Sequence, residues 1–269
     1  MSASGPPSTA STPAAPRGGQ GGDFVRIAHR GASGECPENT LVAFRRALEQ
    51  GAMMIECDLQ LTADGHVVVF HDWTLERTTN GSGVVCELAL EAIRRLDAGS
   101  WRDRRFAGEP VPTLGETLDL VLPAAALNLE LKSRGTRDDA RRLARAAVAA
   151  VAERGALDRV VFSSFDPVCV EAARAESDDA RIGILWDDPP FDRAWQLAAA
   201  SGAVALHPRA STVTPDLIRA AHERRLAVYV WTVNAPADML RLARAGADGL
   251  MSDHPERLRD VAGRLRDPA

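Results

Sequence analysis

Acidic, basic and histidine side chains that could act on a phosphate group are concentrated in the first half of the chain. They are His29, Arg30, Glu56, Asp58, His71, Glu130 and Lys132. Carboxylates are ligands that hard divalent cations prefer, and histidine transfers protons near neutral pH. Arginine and lysine bind phosphate oxygens. This set of residue types indicates metal-assisted phosphoryl chemistry.

Glu56 and Asp58 lie in residues 53–59, a stretch whose composition predicts a β-strand. Strand side chains two positions apart share a face, so both carboxylates point the same way and Cys57 points the opposite way. Two like charges side by side repel each other unless a cation or a proton lies between them. A solvated polar strand face is the alternative interpretation of this pair.

A hairpin is predicted directly after this strand, because Asp64-Gly65 separates two β-rich runs. A two-residue loop would pair Asp58 with His71, and a four-residue loop would pair Glu56 with His71. Both registers put His71 on the face that carries the acids. A three-residue loop would break this relation.

Two further predicted strands carry candidate residues. Residues 24–28 form a short β run that ends at His29. Residues 126–132 alternate between polar and apolar side chains, which predicts a strand with one polar face. Charges on a buried strand face are costly unless they are paired or bind a ligand, whereas an edge strand would leave them solvated. The polar face of this strand carries Asn128, Glu130 and Lys132.

Apolar runs alternate with helical patterns along the rest of the chain. Strands are predicted to end at His29, Asp58 and Lys132, and then to span residues 159–163, 181–186, 203–207, 227–232 and 249–252, with 67–71 as a hairpin extension of the second. Helices are predicted over residues 40–50, 114–122, 137–154, 167–176, 191–201, 215–224 and 236–245. Repeated strand-helix units over about 250 residues predict a (β/α)8 TIM barrel, with an open doubly wound α/β sheet as the alternative.

Residues 73–112 are longer than an ordinary connection and contain a predicted helix at 87–97, so we expect a small insertion near the mouth of the site. Residues 1–22 lack large apolar side chains and are predicted to be a disordered N-terminal arm. Residues 23–269 are predicted to form one barrel domain.

Composition limits the possible partners. The chain has 269 residues and a net charge of -5, which argues against a nucleic-acid partner. No stretch reaches the roughly 18 uninterrupted apolar residues of a membrane span, so no stable membrane insertion is expected. The four cysteines show neither zinc spacing nor a dense disulfide pattern, which predicts a reducing, cytoplasmic location. The sequence does not indicate an oligomeric state.

A series of short motifs resembles, in order, those of the glycerophosphodiester phosphodiesterases. The motifs are His29-Arg30-Gly31, Pro37-Glu38-Asn39-Thr40, Glu56-x-Asp58, His71-Asp72, Arg77-Thr78-Thr79, Pro112-Thr113-Leu114, Glu130-Leu131-Lys132, Ser164-Phe165, Trp231-Thr232-Val233-Asn234 and Gly249 to Asp253. The resemblance runs from about Ile27 to Pro255. The resemblance implies a TIM barrel of the phospholipase C-like phosphodiesterase type, with a small insertion after the second strand.

The resemblance also implies metal-dependent hydrolysis of a small-molecule glycerophosphodiester to sn-glycerol 3-phosphate and an alcohol, in which the glycerol hydroxyl attacks through a cyclic phosphate. The cofactor is expected to be Mg2+ or Ca2+, because the candidate ligands are hard oxygens. The expected roles are metal ligation by Glu56, Asp58 and Glu130, proton transfer by His29 as base and His71 as acid, and substrate binding by Arg30, Lys132 and Trp231. The sequence leaves open which histidine is the base.

Two alternative functions are a lysophospholipase D-like phosphodiesterase and a non-catalytic barrel that binds a phosphate ligand. Residues 73–112 carry mixed charge rather than an apolar or basic docking stretch, which argues against the lipid enzyme. Every expected catalytic position is filled, which argues against a non-catalytic barrel. Trp186 and His207 are candidates for the leaving-group side, and Asp253 is interpreted as a strand-end cap.

Overall fold

Nine strands, nine α-helices and four short 3-10 helices make up the regular structure of the part that the computed structural model describes, residues 24–134 and 136–266. The strands are β1 Val25–His29, β2 Met54–Leu61, β3 Val67–Val69, β4 Ala126–Leu131, β5 Val160–Ser164, β6 Arg181–Trp186, β7 Ala205–Pro208, β8 Ala227–Val230 and β9 Gly249–Ser252. The helices are α1 Leu41–Glu49, α2 Leu90–Arg94, α3 Leu114–Val121, α4 Arg137–Ala152, α5 Pro167–Glu176, α6 Asp192–Ser201, α7 Pro215–Glu223, α8 Pro236–Arg244 and α9 Pro255–Arg266. The predicted arm, residues 1–22, lies outside the described residues.

The sheet closes into a barrel. Among the described residues, the strands follow the order β1-β9-β8-β7-β6-β5-β4-β2, and β1 also pairs with β2. All of these pairings are parallel, while β3 adds to β2 as an antiparallel extension. The predicted (β/α)8 barrel is confirmed, and the open doubly wound sheet is wrong because the β1–β2 pairing joins the two ends of the sheet.

Several of the helices that surround the barrel have recognisable sequence signals at their N-termini. Thr113 and Glu116 form a capping box at α3, and Pro215 and Pro236 occupy the first turns of α7 and α8. Helix α9 is absent from the prediction, and α2 is shorter than the helix predicted for residues 87–97. Within the described ranges, none of the helices has the length and apolar character needed to cross a membrane.

The barrel interior has an apolar floor and a polar layer above it. The floor is made by Val25, Ile27, Met54, Ala126, Val161, Ala205, Tyr229 and Met251. Strand side chains two positions apart share a face, so the next inward-facing residues lie nearer the carboxyl ends of the strands. These residues are His29, Glu56, Asn128, Ser163, His207, Trp231 and Asp253. A second, larger apolar core lies between the strands and the helices and contains Cys57.

His207, a candidate for the leaving-group side, lies deep in this polar layer. Its side chain is fully buried, and its ring lies 5.3 Å from the ring of Tyr229. The ring also fills the space above Gly183, where an added Cβ would lie 2.7 Å from the imidazole. Burial lowers the pKa of His207 to about 3, so the side chain is neutral at physiological pH.

The hairpin between β2 and β3 has a three-residue loop, residues 63–65. Gly65 has a φ of +84°, which suits the last position of a three-residue hairpin loop. Asp58 therefore lies opposite Phe70, whose backbone N–H donates to the Asp58 carbonyl at 2.9 Å. Both predicted registers, in which His71 faces an acid across the hairpin, are wrong.

His71 lies beyond the end of β3, so its side-chain direction is set by a turn instead of by strand alternation. Gln60 on β2 reaches this turn from below and is 3% exposed. Its Nε2 lies 2.9, 3.2 and 2.7 Å from the carbonyl oxygens of three consecutive residues, Phe70, His71 and Asp72. A buried amide of β2 thus holds the turn that carries His71.

The segment between β3 and α3 has a small apolar cluster of its own. The cluster contains Val68, Phe70, Leu75, Val85, Ile93, Ala98 and Val111. Arg102 donates to the carbonyl of Gly34, and Arg105 donates to the carbonyl of Glu35 at 3.2 Å. Both carbonyls belong to the loop after β1, so the segment packs beside the loop that follows His29.

Candidate active site

Three carboxylates meet at the carboxyl ends of β2 and β4. Parallel pairing places Asp58 opposite Glu130 and Glu56 opposite Asn128. One carboxylate oxygen from each of Glu56, Asp58 and Glu130 lies within 4.8 Å of the other two. Glu56 and Asp58 share a face as predicted, and the barrel brings the third predicted metal ligand beside them.

The three acids differ strongly in their affinity for protons. Burial, followed by the charges of Asp58 and Glu130, raises the pKa of Glu56 well above its usual value. Burial and the charge of Asp58 raise the pKa of Glu130 to about 7. Burial opposes ionisation of Asp58 too, but Lys132 and Arg30 outweigh it and hold its pKa well below the usual range.

The chemistry of the cluster fits a hard divalent cation. Burial and mutual repulsion raise the pKa values of Glu56 and Glu130, and a bound cation would relieve both effects. When ionised, the three acids together with Arg30 and Lys132 carry one net negative charge. A divalent cation would reverse that sign and match a phosphodiester monoanion.

Arg30 and Lys132 both lie against the acids. Lys132 Nζ is 3.3 Å from Asp58 Oδ1 and 3.3 Å from Glu130 Oε1. Arg30 Nε is 3.2 Å from Asp58 Oδ2, and the Arg30 backbone N–H donates to Glu56 Oε2 at 2.9 Å. The side chains of Arg30 and Lys132 also line the cleft above the acids, where they can reach a phosphate.

His29 and His71 line the same cleft. His29 Nε2 lies 4.0 Å from Glu56 Oε2, and His29 Nδ1 lies 2.7 Å from Asp253 Oδ1. His71 Nδ1 lies 2.6 Å from Asp72 Oδ1. A carboxylate at Nδ1 fixes the ring and leaves Nε2 as the nitrogen that exchanges a proton with a reactant. Burial lowers the pKa of His71, with the charges of Arg30 and Lys132 acting in the same direction.

Asp253 is a site residue that the sequence interpretation missed. Besides its bond to His29, its carboxylate accepts hydrogen bonds from Ser33 Oγ at 3.0 Å and from Asn234 Nδ2 at 2.7 Å. Burial opposes its ionisation, but these partners hold the pKa of Asp253 well below the usual range. The available signal was its position two residues beyond Met251, on the inward face at the end of β9.

The motif at residues 37–40 makes hydrogen bonds to Asp58 and to Arg30. Asn39 Nδ2 donates to Asp58 Oδ2 at 2.8 Å. Glu38 Oε1 accepts from Arg30 Nη1 at 2.7 Å. The motif therefore orients both Asp58 and Arg30, although neither Glu38 nor Asn39 was predicted as a site residue.

Apolar side chains complete the cleft. They are Phe165, Leu185, Trp231 and Met251. Phe165 and Trp231 meet edge to face, with ring centroids 5.5 Å apart. The Trp231 indole N–H donates to the His207 carbonyl at 2.7 Å. This N–H is therefore already bonded within the protein, and Trp231 offers the cleft an apolar surface.

Comparison with known proteins shows the family to which the chain belongs. The model of the glycerophosphoryl diester phosphodiesterase family matches residues 29–257, most of the chain. The chain belongs to this family. A glycerophosphodiester phosphodiesterase of Caldanaerobacter subterraneus subsp. tengcongensis is 39% identical to this phosphodiesterase over 233 residues, which cover 86% of this chain and 95% of the relative.

Solved structures agree with the family of this phosphodiesterase. An Oleispira antarctica phosphodiesterase in complex with the product sn-glycerol-3-phosphate has a TM-score of 0.83 and 30% identity, covering 88% of this chain and 96% of that chain. A glycerophosphodiester phosphodiesterase of Agrobacterium tumefaciens has a TM-score of 0.76 and 30% identity, with coverage of 87% and 98%. The predicted family and the predicted class, a hydrolase of glycerophosphodiesters, are confirmed.

Proposed function

We propose that this phosphodiesterase releases sn-glycerol 3-phosphate and an alcohol from small glycerophosphodiesters, with Mg2+ or Ca2+ held by Glu56, Asp58 and Glu130. The convergence of these three carboxylates within 4.8 Å, beside Arg30 and Lys132, is the observation that carries the proposal. When bound, the cation would act as a Lewis acid on a phosphate oxygen.

Substrate binding uses both kinds of surface in the cleft. Arg30 and Lys132 bind the non-bridging phosphate oxygens, for which the planar guanidinium of Arg30 is suited to paired hydrogen bonds. The apolar face of Trp231, supported by Phe165, packs against the glycerol carbons. This packing removes water from the glycerol side of the phosphate.

Proton transfer is proposed for the two histidines. His29 accepts the proton of the nucleophile at Nε2 while Asp253 holds its Nδ1. His71 donates a proton to the leaving oxygen, and because burial lowers its pKa, its charged form is a stronger acid than an exposed histidine. Each such group contributes about 10²- to 10⁴-fold to the rate.

We also propose a cytoplasmic location and a role in lipid and glycerol metabolism. Support for the location comes from Cys36, Cys57, Cys86 and Cys169, which are all free cysteines. We further propose that residues 23–269 act as one catalytic domain, with residues 73–112 as an insertion beside the site.

Phosphorus NMR of the purified protein tests the activity directly. The substrates are glycerophosphocholine, glycerophosphoethanolamine, glycerophosphoinositol and lysophosphatidylcholine, each with chelator and with Mg2+ or Ca2+ added back. We expect sn-glycerol 3-phosphate to form only when a cation is present. Turnover that resists chelator would overturn the metal proposal, and a preference for lysophosphatidylcholine would favour the lysophospholipase D alternative. No turnover of any diester would favour the binding barrel.

Glu130→Gln tests the metal site by titration calorimetry. Because the pKa of Glu130 is raised to about 7, cation binding near pH 6.5 should release protons, which appear as a dependence of the heat on buffer ionisation. We expect Glu130→Gln to weaken Mg2+ or Ca2+ binding by at least about tenfold and to reduce proton release. Glu91→Gln, at an exposed glutamate, is the matched control. Equal affinity in both variants would remove Glu130 from the site.

A further inference from the structure

Arg77 binds two carboxylates that come from different parts of the chain. Its Nη1 and Nη2 donate to Glu38 Oε2 and Oε1, both at 2.8 Å. Its Nε and Nη2 donate to Asp72 Oδ2 and Oδ1, at 2.5 and 3.0 Å. One edge of the planar guanidinium, formed by Nη1 and Nη2, therefore pairs with Glu38, and another edge, formed by Nε and Nη2, pairs with Asp72.

Each of these carboxylates has a second partner in the cleft. Asp72 Oδ1 lies 2.6 Å from His71 Nδ1, and Glu38 Oε1 accepts from Arg30 Nη1 at 2.7 Å. The bonds from Arg77 are the largest influence on Asp72 and lower its pKa to about 2, so Asp72 stays an ionised acceptor. Glu38 is only 14% exposed and anchors Arg77 to the loop that follows β1.

Asp72 needs this support because it lies near solvent. The side chains of His71 and Asp72 are 31% and 26% exposed. Water could therefore compete for the Asp72 oxygens, and the carboxylate would then lose its fixed orientation. A single exposed ion pair contributes little to stability. Here one rigid guanidinium makes paired hydrogen bonds both to Glu38, which is largely buried, and to Asp72. The Arg77 guanidinium therefore restricts the movement of the Asp72 carboxylate.

We propose that Arg77 is a positioning residue for His71, which it orients by holding the Asp72 carboxylate against His71 Nδ1. Arg77 does not line the cleft, so it acts on His71 through Asp72. The inference rests on the proposed role of His71 in proton transfer. Charge alone is not sufficient for this role, because the ammonium of a lysine cannot make the two coplanar pairs of bonds.

A double-mutant cycle on kcat and KM tests the proposal. With glycerophosphocholine as substrate, we expect Arg77→Gln to lower kcat by about 10- to 100-fold with a small change in KM, and Arg77→Lys to recover little of it. In the His71→Ala background, Arg77→Gln should change kcat by less than about twofold, since the group through which it acts is gone. Arg95→Gln, which removes an exposed arginine bonded to Glu91, is the matched control.

The same cycle can overturn the proposal. If Arg77→Gln costs the same factor with and without His71, its role is independent of that histidine. The proposal also fails if Arg77→Lys restores the full rate, because charge alone would then be enough. Thermal unfolding of each variant shows whether any loss of rate reflects loss of folded protein.

Nitrogen-15 NMR of the histidine rings gives a readout that does not need turnover. In the wild-type chain we expect a protected Nδ1–H signal for His71, bonded to Asp72, and a second one for His29, bonded to Asp253. Arg77→Gln should broaden or remove the His71 signal and leave the His29 signal unchanged. An unchanged His71 signal overturns the inference, whereas a wild-type protein that shows the expected signals but no turnover overturns the proposed function alone.

Discussion

Each of the two histidines proposed for proton transfer is oriented by a carboxylate, but the two carboxylates lie at very different distances along the chain from their histidines. His71 is held by Asp72, its neighbour in the chain, and the sequence shows that pair directly. His29 is held by Asp253, which lies 224 residues later. In both cases a carboxylate at Nδ1 fixes the orientation and the tautomer of the ring. At this scale, only the adjacent pair could be recognised without the fold.

Asp253→Asn is predicted to lower kcat by at least about tenfold, and by no more than the roughly 10⁴-fold that a general base contributes. The amide cannot stabilise a charged His29, and it can bond the ring in the wrong tautomer. KM should change little, because Asp253 is not among the residues that line the cleft. Phosphorus NMR at saturating substrate measures the rate.

Asp238→Asn is the control for this prediction, since Asp238 lies on the exposed side of α8 and, among the described residues, its carboxylate pairs with Arg241 alone. A normal kcat in Asp253→Asn would mean that His29 keeps its orientation through other contacts. Equal losses in both variants would point to a general effect on the fold.

At the scale of elements, the segment between β3 and α3 has an apolar cluster separate from the two cores of the barrel. It includes Leu75 and Ile93, both at most 1% exposed. Because its buried contacts are mainly its own, we expect the segment to open as a cooperative unit without unfolding of the barrel. This matters for function because His71 and Arg77 lie at its start.

Ile93→Ala is predicted to cost about 2–5 kcal/mol, and to destabilise mainly the segment itself. Hydrogen exchange measured by mass spectrometry should speed up across residues 75–111 and stay unchanged in α5 to α7. Met239→Ala removes a side chain of similar size from the main core and serves as the comparison. It should accelerate exchange across the barrel. A uniform effect of Ile93→Ala would show that the segment and the barrel unfold together.

The hairpin shows where prediction of elements fails. The Asp64-Gly65 turn and both strands were predicted correctly, but the loop has three residues because Thr62 closes it. Thr62 N donates to the His66 carbonyl, and Thr62 Oγ1 accepts from His66 N at 2.9 Å. A change of one residue in loop length reverses the face of every side chain on the returning strand.

At the scale of the whole molecule, the barrel buries polar groups directly beneath the active site. Asn128 Oδ1, Ser163 Oγ and both ring nitrogens of His207 are buried without a hydrogen-bond partner among the described residues. Buried polar groups of this kind are usually satisfied by ordered water or else reduce stability. His207 is the titratable residue among these three, and its burial makes folding of the barrel sensitive to pH.

The contribution of His207 to the free energy of unfolding is predicted to fall as the pH falls below about 6.5, where an unfolded histidine becomes charged. Burial lowers the pKa of His207 to about 3, so between these values the unfolded chain binds a proton that the folded chain does not. The loss approaches about 1.4 kcal/mol per pH unit. Urea unfolding of the wild type and of His207→Gln at several pH values measures it.

Between about pH 6.5 and pH 5, the wild type should lose about 1.5 kcal/mol more stability than His207→Gln. His66→Gln, at an exposed histidine, should behave like the wild type. If the wild type and His207→Gln have parallel stability curves, His207 accepts a proton inside the folded barrel.

The sequence by itself determined the strands, most of the helices, the shared face of Glu56 and Asp58, and the family. These features depend on alternation, capping residues and motifs, which are interactions or patterns between residues a few positions apart. The predicted site residues, from His29 to Trp231, were likewise recognised from short motifs. These motifs do not show which of the residues are neighbours in space.

Only the tertiary structure decided which of these residues are neighbours. Closure of the barrel pairs β1 with β2 and with β9, which brings His29 beside Glu56 and Asp253. The turn held by Gln60 delivers His71 to the cleft even though the predicted register is wrong. The fully buried position of His207 was decided in the same way. These outcomes depend on contacts between residues far apart in the chain, and such contacts leave no local pattern in the sequence.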